Sequence, residues 1–124
     1  MERIMKMQLT TSNQGNLTAS IVGAFDAESC AEHKAAFEGI CADAASKLVI
    51  VNMSQVEFLD ASGIGALVFM FKRINAAGGQ LALLGAQQQP RDLLVMLRVD
   101  HIITMIDTLP SQNHTTDTLP SIAA

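Results

Sequence analysis

The side chains best suited to chemistry lie in one stretch, Leu59-Asp60-Ala61-Ser62-Gly63-Ile64-Gly65. It joins a strand-like run to the strongest helical pattern in the chain. A hydroxyl, a carboxylate and two glycines therefore meet at one strand-to-helix corner. A helix beginning near Ser62 offers unsatisfied N–H groups and the positive end of its dipole at that point. Gly63 and Gly65 remove side chains from the first turn and let another backbone or a phosphate come close. Asp60 can cap the helix, or hold a divalent metal that an incoming nucleotide brings. The corner is chemically ready to carry a phosphoserine, and equally ready to be an ordinary N-cap.

Other chemistries fit less well. Gly63-Ile64-Gly65 is half of a Gly-x-Gly-x-x-Gly, because position 68 is Val, and no Gly-Lys-Ser/Thr occurs. A nucleophile elbow needs glycine two residues before the serine, where this chain has Asp60. His33, His101 and His114 are isolated, and none has a metal-ligand spacing. All aromatics are Phe, so stacking recognition of bases or sugars is poorly supplied. No acid, base and nucleophile set can be assembled. The expectation is a chain that is not an enzyme and takes no cofactor and no metal.

The whole chain narrows the class further. Its 124 residues suit one domain, and 49% hydrophobic residues can bury a core without a metal or disulfide staple. A net charge of −4 argues against a nucleic-acid binder and against docking on anionic lipid. Cys30 and Cys41 are spaced for one face of one helix, about 16 Å apart along its axis, too far for a disulfide. Separated thiols without a Cys-x-x-Cys suit a reducing compartment. The N-terminus lacks the apolar segment of a signal peptide. The longest apolar run, Gly63 to Phe71, is about half of what spans a bilayer. These features predict a cytoplasmic protein with no direct membrane insertion.

The elements that must position the corner can be read in order. Met5 to Asp26 alternates as a β-hairpin around Ser12-Asn13-Gln14-Gly15-Asn16, and Asp26 is placed to cap a helix. Ala27 to Ala45 has helical spacing. Lys47 to Met53 is a β-branched run that suits a central strand, and Ser54 to Leu59 leads on to the corner. Ser62 to Ala77 is helical, with Ile64, Leu67, Val68, Phe71 and Ile74 as its apolar stripe, and Gly78-Gly79 ends it. Gln80 to Gly85 is a buried-type strand, and Gln87-Gln88-Gln89 is a polar loop. Pro90 suits the first position of a helix that runs through Arg91 to Arg98. Ile102 to Ile106 is a short last strand. The order ββαβαβαβ is an α/β fold with a mixed β-sheet and helices mainly on one face. Residues 1–106 form the domain. Residues 107–124 repeat Asp-Thr-Leu-Pro-Ser and read as a flexible or loosely docked tail.

Val68-Phe69-Met70-Phe71 is apolar all round the helix. If Leu67, Val68 and Phe71 face the sheet, Phe69 or Met70 faces elsewhere. Exposed, they form a partner surface one to two turns from Ser62. The alternative is burial under the neighbouring helix or the tail.

At these residues the chain resembles the STAS domains, and among them the stand-alone anti-sigma factor antagonists of bacteria. The resemblance covers about residues 5–106. It is carried by Asn52-x-Ser54-x-Val56-x-Phe58-Leu59-Asp60-Ala61-Ser62-Gly63-Ile64-Gly65, by Gly23-Ala24-Phe25-Asp26 before the first helix, and by Gly78-Gly79-x-Leu81 before the later strand. It implies a STAS-like fold and partner switching. The unphosphorylated protein binds an anti-sigma factor, a serine kinase of the histidine-kinase-like ATPase type, and frees what that kinase holds. The kinase phosphorylates one serine, binding is lost, and a PP2C-type phosphatase restores it. By the resemblance Ser62 is the phosphoacceptor and Asp60 the preceding aspartate. Ala61, Gly63, Ile64 and Gly65 complete the loop; Asp26, together with Phe69 and Met70 of the apolar helix stretch, is expected on the partner side. Two departures stand out. Position 61 is Ala where many relatives have Ser. Relatives often end in an amphipathic helix, which the tail does not resemble, so a homodimer or tail exchange could cover the surface left open. A second function within the family is an accessory subunit of a lipid or anion transport system, in which the domain is structural.

Overall fold

The computed structural model describes residues 5–12, 15–45 and 47–109. Strands β1 (Lys6–Thr11) and β2 (Leu17–Phe25) form the opening hairpin, and the Gly15 N–H donates to the Ser12 carbonyl in its turn, with Gly15 at φ +88°. Helices α1 (Ala27–Glu32) and α2 (Lys34–Ala42) follow, then β3 (Leu48–Leu59), α3 (Ala61–Ala76), β4 (Gln80–Leu84), α4 (Gln88–Met96), a 3-10 turn at Val99–His101 and β5 (Thr104–Ile106). The sheet order is β1-β2-β3-β4-β5, antiparallel between β1 and β2 and parallel from β2 to β5.

Each parallel step moves to the next strand in the same direction. Right-handed crossovers therefore carry all the connecting helices to one face of the sheet. The core agrees. Ala19, Ile21, Val49, Val51, Met53, Leu81 and Leu83 from alternate strand positions pack with Phe37, Ile40, Leu67, Met70, Ile74 and Leu94 from the helices. The mixed sheet with helices on one face is as the sequence predicts.

Several boundaries differ from the sequence reading. The first helix is interrupted at His33, which closes α1 and precedes α2. Ser54 and Gln55 do not end the central strand, and β3 runs unbroken to Leu59 because β2 pairs with it along that length, with two register shifts. Pro90 is the third residue of α4, where its missing N–H still removes no helical bond. The last strand is shortened to Thr104–Ile106 by the 3-10 turn before it. Helix α3 ends as Gly78-Gly79 requires. Gly78 takes φ +85°, its N–H donates to the Asn75 carbonyl, and the Gly79 N–H donates to the Ile74 carbonyl. Of the expected tail only residues 107–109 are described, all exposed; residues 110–124, with His114 and the second Asp-Thr-Leu-Pro-Ser, lie outside the described residues.

Candidate functional site

Two parallel strands end side by side, and each hands over to a capping aspartate. Phe25 and Leu59 are paired in register. Asp26 follows the first and caps α1, accepting the Ser29 N–H at 3.1 Å. Asp60 follows the second and caps α3, its Oδ1 accepting the Gly63 N–H at 3.0 Å. Both caps are extended in backbone, the conformation an N-cap needs. The two corners are joined directly: the Asp60 N–H donates to the Phe25 carbonyl at 3.4 Å. Ser29, which the sequence reading passed over, completes a capping box. Its hydroxyl receives the Asp26 N–H at 2.9 Å and lies 2.9 Å from the Ala24 carbonyl, which it can donate to. The Asp-x-x-Ser spacing was the available signal.

Gly63 explains how close the corners are. A Cβ there would lie 2.5 Å from the Phe25 carbonyl oxygen and 2.5 Å from Leu59 Cδ1. Gly65 is different, with nothing within 4 Å of the corresponding position. The first glycine permits contact between the corners; the second only thins the exposed side of the helix. Ala61 is exposed and Ile64 half-buried.

Because Asp60 is the cap, Ser62 is not. It is the second residue of α3 and is exposed. Its backbone is fixed by the helix, while its side chain lies open to solvent in the first turn. The Cys30 thiol donates to the Ser62 carbonyl at 3.6 Å and closes the gap between α1 and α3. Burial, then the carboxylates of Asp60 and Asp26, push the Cys30 pKa from 9.0 up to about 11. Burial also raises that of Cys41. Cys30 is thus a neutral thiol at physiological pH. We expect iodoacetamide at pH 8 to alkylate it roughly a hundredfold more slowly than a free cysteine of ordinary pKa, since only the thiolate reacts. A rate equal to that of the unfolded chain would contradict this placement.

Beyond Ser62 an apolar groove of about 350 Å³ runs between α1–α2 and α3. Ser62, Ala66 and Phe69 line it from α3, at the i, i+4, i+7 spacing of one helix face. Cys30, Ala31 and Phe37 line it from the other side, with Lys34 and Glu38. Phe69 is 43% exposed, and the Arg73 guanidinium sits 5.3 Å from its ring centroid. Met70 corrects the sequence expectation. It is fully buried in the core and cannot form part of an exposed partner surface. The buried stripe of α3 is Gly63, Leu67, Met70 and Ile74, a rotation that leaves Val68 and Phe71 half-buried on its flanks. The close seating of Gly63 on Phe25 sets that rotation.

Among the described residues no helix is long and apolar enough to cross a membrane.

Comparison with known proteins places this geometry. The chain spans about half the length, 54%, of a curated relative it matches, a Thermotoga maritima protein provisionally named an anti-sigma factor antagonist, 28% identical over 61 residues or 49% of this chain. Among solved structures, an anti-sigma factor antagonist from Mycobacterium paratuberculosis superposes with a TM-score of 0.78 at 17% identity, over 88% of this chain and 91% of that one. The Bacillus cell fate determinant SpoIIAA in its phosphorylated form gives 0.67 at 19% identity, over 84% and 92%. At these identities the structural likeness establishes the fold. The model of the STAS domain matches residues 8–112, which include both capped corners, and the chain belongs to the STAS domain family.

Proposed function

We propose that this protein is an anti-sigma factor antagonist that works by partner switching, with Ser62 as its phosphoacceptor. One observation carries the reading: Ser62 is exposed at the second position of α3, released from capping by Asp60, and lines the mouth of an apolar groove. A hydroxyl there is open to a kinase and adjacent to a surface that a partner can cover. The names of the relatives, one of them a phosphorylated form, support the same reading.

The physics of the switch follows from the site. Phosphorylation adds roughly −1.5 to −2 charges. At a helix N-terminus α3 tolerates that charge, so the domain need not refold. The phosphate is carried by a residue that lines the groove, two positions after the Asp60 cap. A partner seated on Phe69 and the groove would have to desolvate it, at a cost well above the contribution of any one apolar contact. The partner is a serine kinase of the histidine-kinase-like ATPase type, and a PP2C-type phosphatase resets the switch. Both act in the cytoplasm, on the domain of residues 1–106.

The test uses the chain in its native cell. Peptide mass spectrometry should find phosphate on Ser62 in wild type and none in Ser62→Ala. Ser62→Ala should retain the co-purifying kinase, while Ser62→Asp should bind it at least about tenfold more weakly, a loss of about 1.4 kcal/mol or more. Equal phosphate incorporation in Ser62→Ala and wild type would falsify the assignment.

A further inference from the structure

The stretch Gln87-Gln88-Gln89, expected as a polar loop, instead caps and opens α4; it has no part in the switch as described so far, yet one of its side chains reaches the corner. Strand β4 pairs with β3 only from Leu48 to Asn52, whereas β3 continues to Leu59. At the end of that unpaired flank Gln89 takes the place of a strand. The Leu59 N–H donates to Gln89 Oε1 at 2.8 Å, and Gln89 Nε2 donates to the Leu59 carbonyl at 2.7 Å. One carboxamide thereby supplies both hydrogen bonds that a neighbouring strand would give this residue. On the opposite flank Leu59 is in register with Phe25, and the next residue, Asp60, bonds the Phe25 carbonyl. The last residue of β3 is held from both sides immediately before the capping aspartate and three residues before Ser62. Gln88 takes φ +57° just ahead of the clamp, a left-handed conformation that few non-glycine residues adopt.

We infer that Gln89 is the positioning residue of the Ser62 corner: its carboxamide fixes where α3 starts, and hence where the phosphoacceptor hydroxyl is presented. This rests on the reading of Ser62 as the phosphoacceptor. Phosphoryl transfer depends on placement, and a misplacement of 1 Å can lower a rate about 10²-fold. No other side chain has both the reach and the chemistry. Asparagine is one methylene short. Glutamate at neutral pH sets a carboxylate oxygen against the Leu59 carbonyl, and regains a donor only when protonated.

The experiment compares Gln89→Ala and Gln89→Glu with wild type by amide hydrogen exchange and by Ser62 phosphate occupancy in the native cell. In Gln89→Ala, exchange at Leu59 and Gly63 should rise at least tenfold, with Val49, Val51 and Leu83 unchanged, and the phosphorylated fraction should fall several-fold. Gln89→Glu should match the alanine variant at pH 7 and return to the wild-type exchange rate at pH 4, each compared with wild type at the same pH. Should the alanine variant fail to fold, the pH pair on Gln89→Glu decides alone. A uniform rise at all amides makes Gln89 a general stabiliser and overturns the inference. So does local loosening with undiminished phosphorylation. Absence of phosphate on Ser62 in wild type overturns the phosphoacceptor reading instead, and the exchange arms still report whether the clamp holds the corner.

Discussion

Gly63→Ala is expected to destabilise the protein by about 3 kcal/mol or more, lowering Tm by about 10 °C or more. The added methyl group would meet two neighbours at once, Leu59 Cδ1 and the Phe25 carbonyl oxygen, each 2.5 Å from its position. The Leu side chain could turn aside. The carbonyl cannot, because it belongs to β2 and already accepts the Asp60 N–H. Relief would require α3 to lift off β2, which would also loosen the Asp60 cap and the Cys30 contact. Gly65→Ala is the control. It meets nothing within 4 Å and exchanges a poor helix former for the best one, so it should stabilise the protein by about 0.4–1 kcal/mol. Thermal unfolding of the pair separates them, and equal melting temperatures would mean that Gly63 is not seated on Phe25.

The second large effect separates two neighbouring residues that look alike in the sequence. Met70→Ala should cost about 2–5 kcal/mol, because it empties a fully buried position among Leu67, Ile74 and the sheet. Phe69→Ala should cost less than about 1 kcal/mol of stability, since 43% of the residue is already in water, and should instead weaken partner binding by removing one wall of the groove. Urea unfolding and partner co-purification give the two readouts. If Phe69→Ala shifts the urea midpoint as far as Met70→Ala does, α3 is rotated from the position described.

That pair also marks how far the sequence could be read. The corner itself was legible because its signals are local: an aspartate before a helical run, two glycines in the first turn, and Gly78-Gly79 at the end. Asp26 was legible as a cap for the same reason. The rotation of α3 was not. Val68-Phe69-Met70-Phe71 is apolar on every side, so periodicity leaves the helix free to turn, and the residue that fixes it, Gly63, has no side chain to count. The β-branched run ends at Met53, but pairing with β2 carries β3 on to Leu59. Gln89 gave no local signal. Its partner lies 30 residues away, and a glutamine in a polar stretch looks the same whether it meets water or completes a strand.

The stacking of Arg73 on Phe69 has a consequence for how quickly and how tightly a surface of this kind is used. An exposed phenylalanine normally wanders among rotamers, and freezing such a side chain on association costs roughly 0.5–1.5 kcal/mol. Here the guanidinium narrows the wandering in the free protein, so part of that entropy is lost on folding rather than on encounter. Up to about tenfold in dissociation constant is recovered this way without a single added contact. A partner that covers this ring would meet it already ordered.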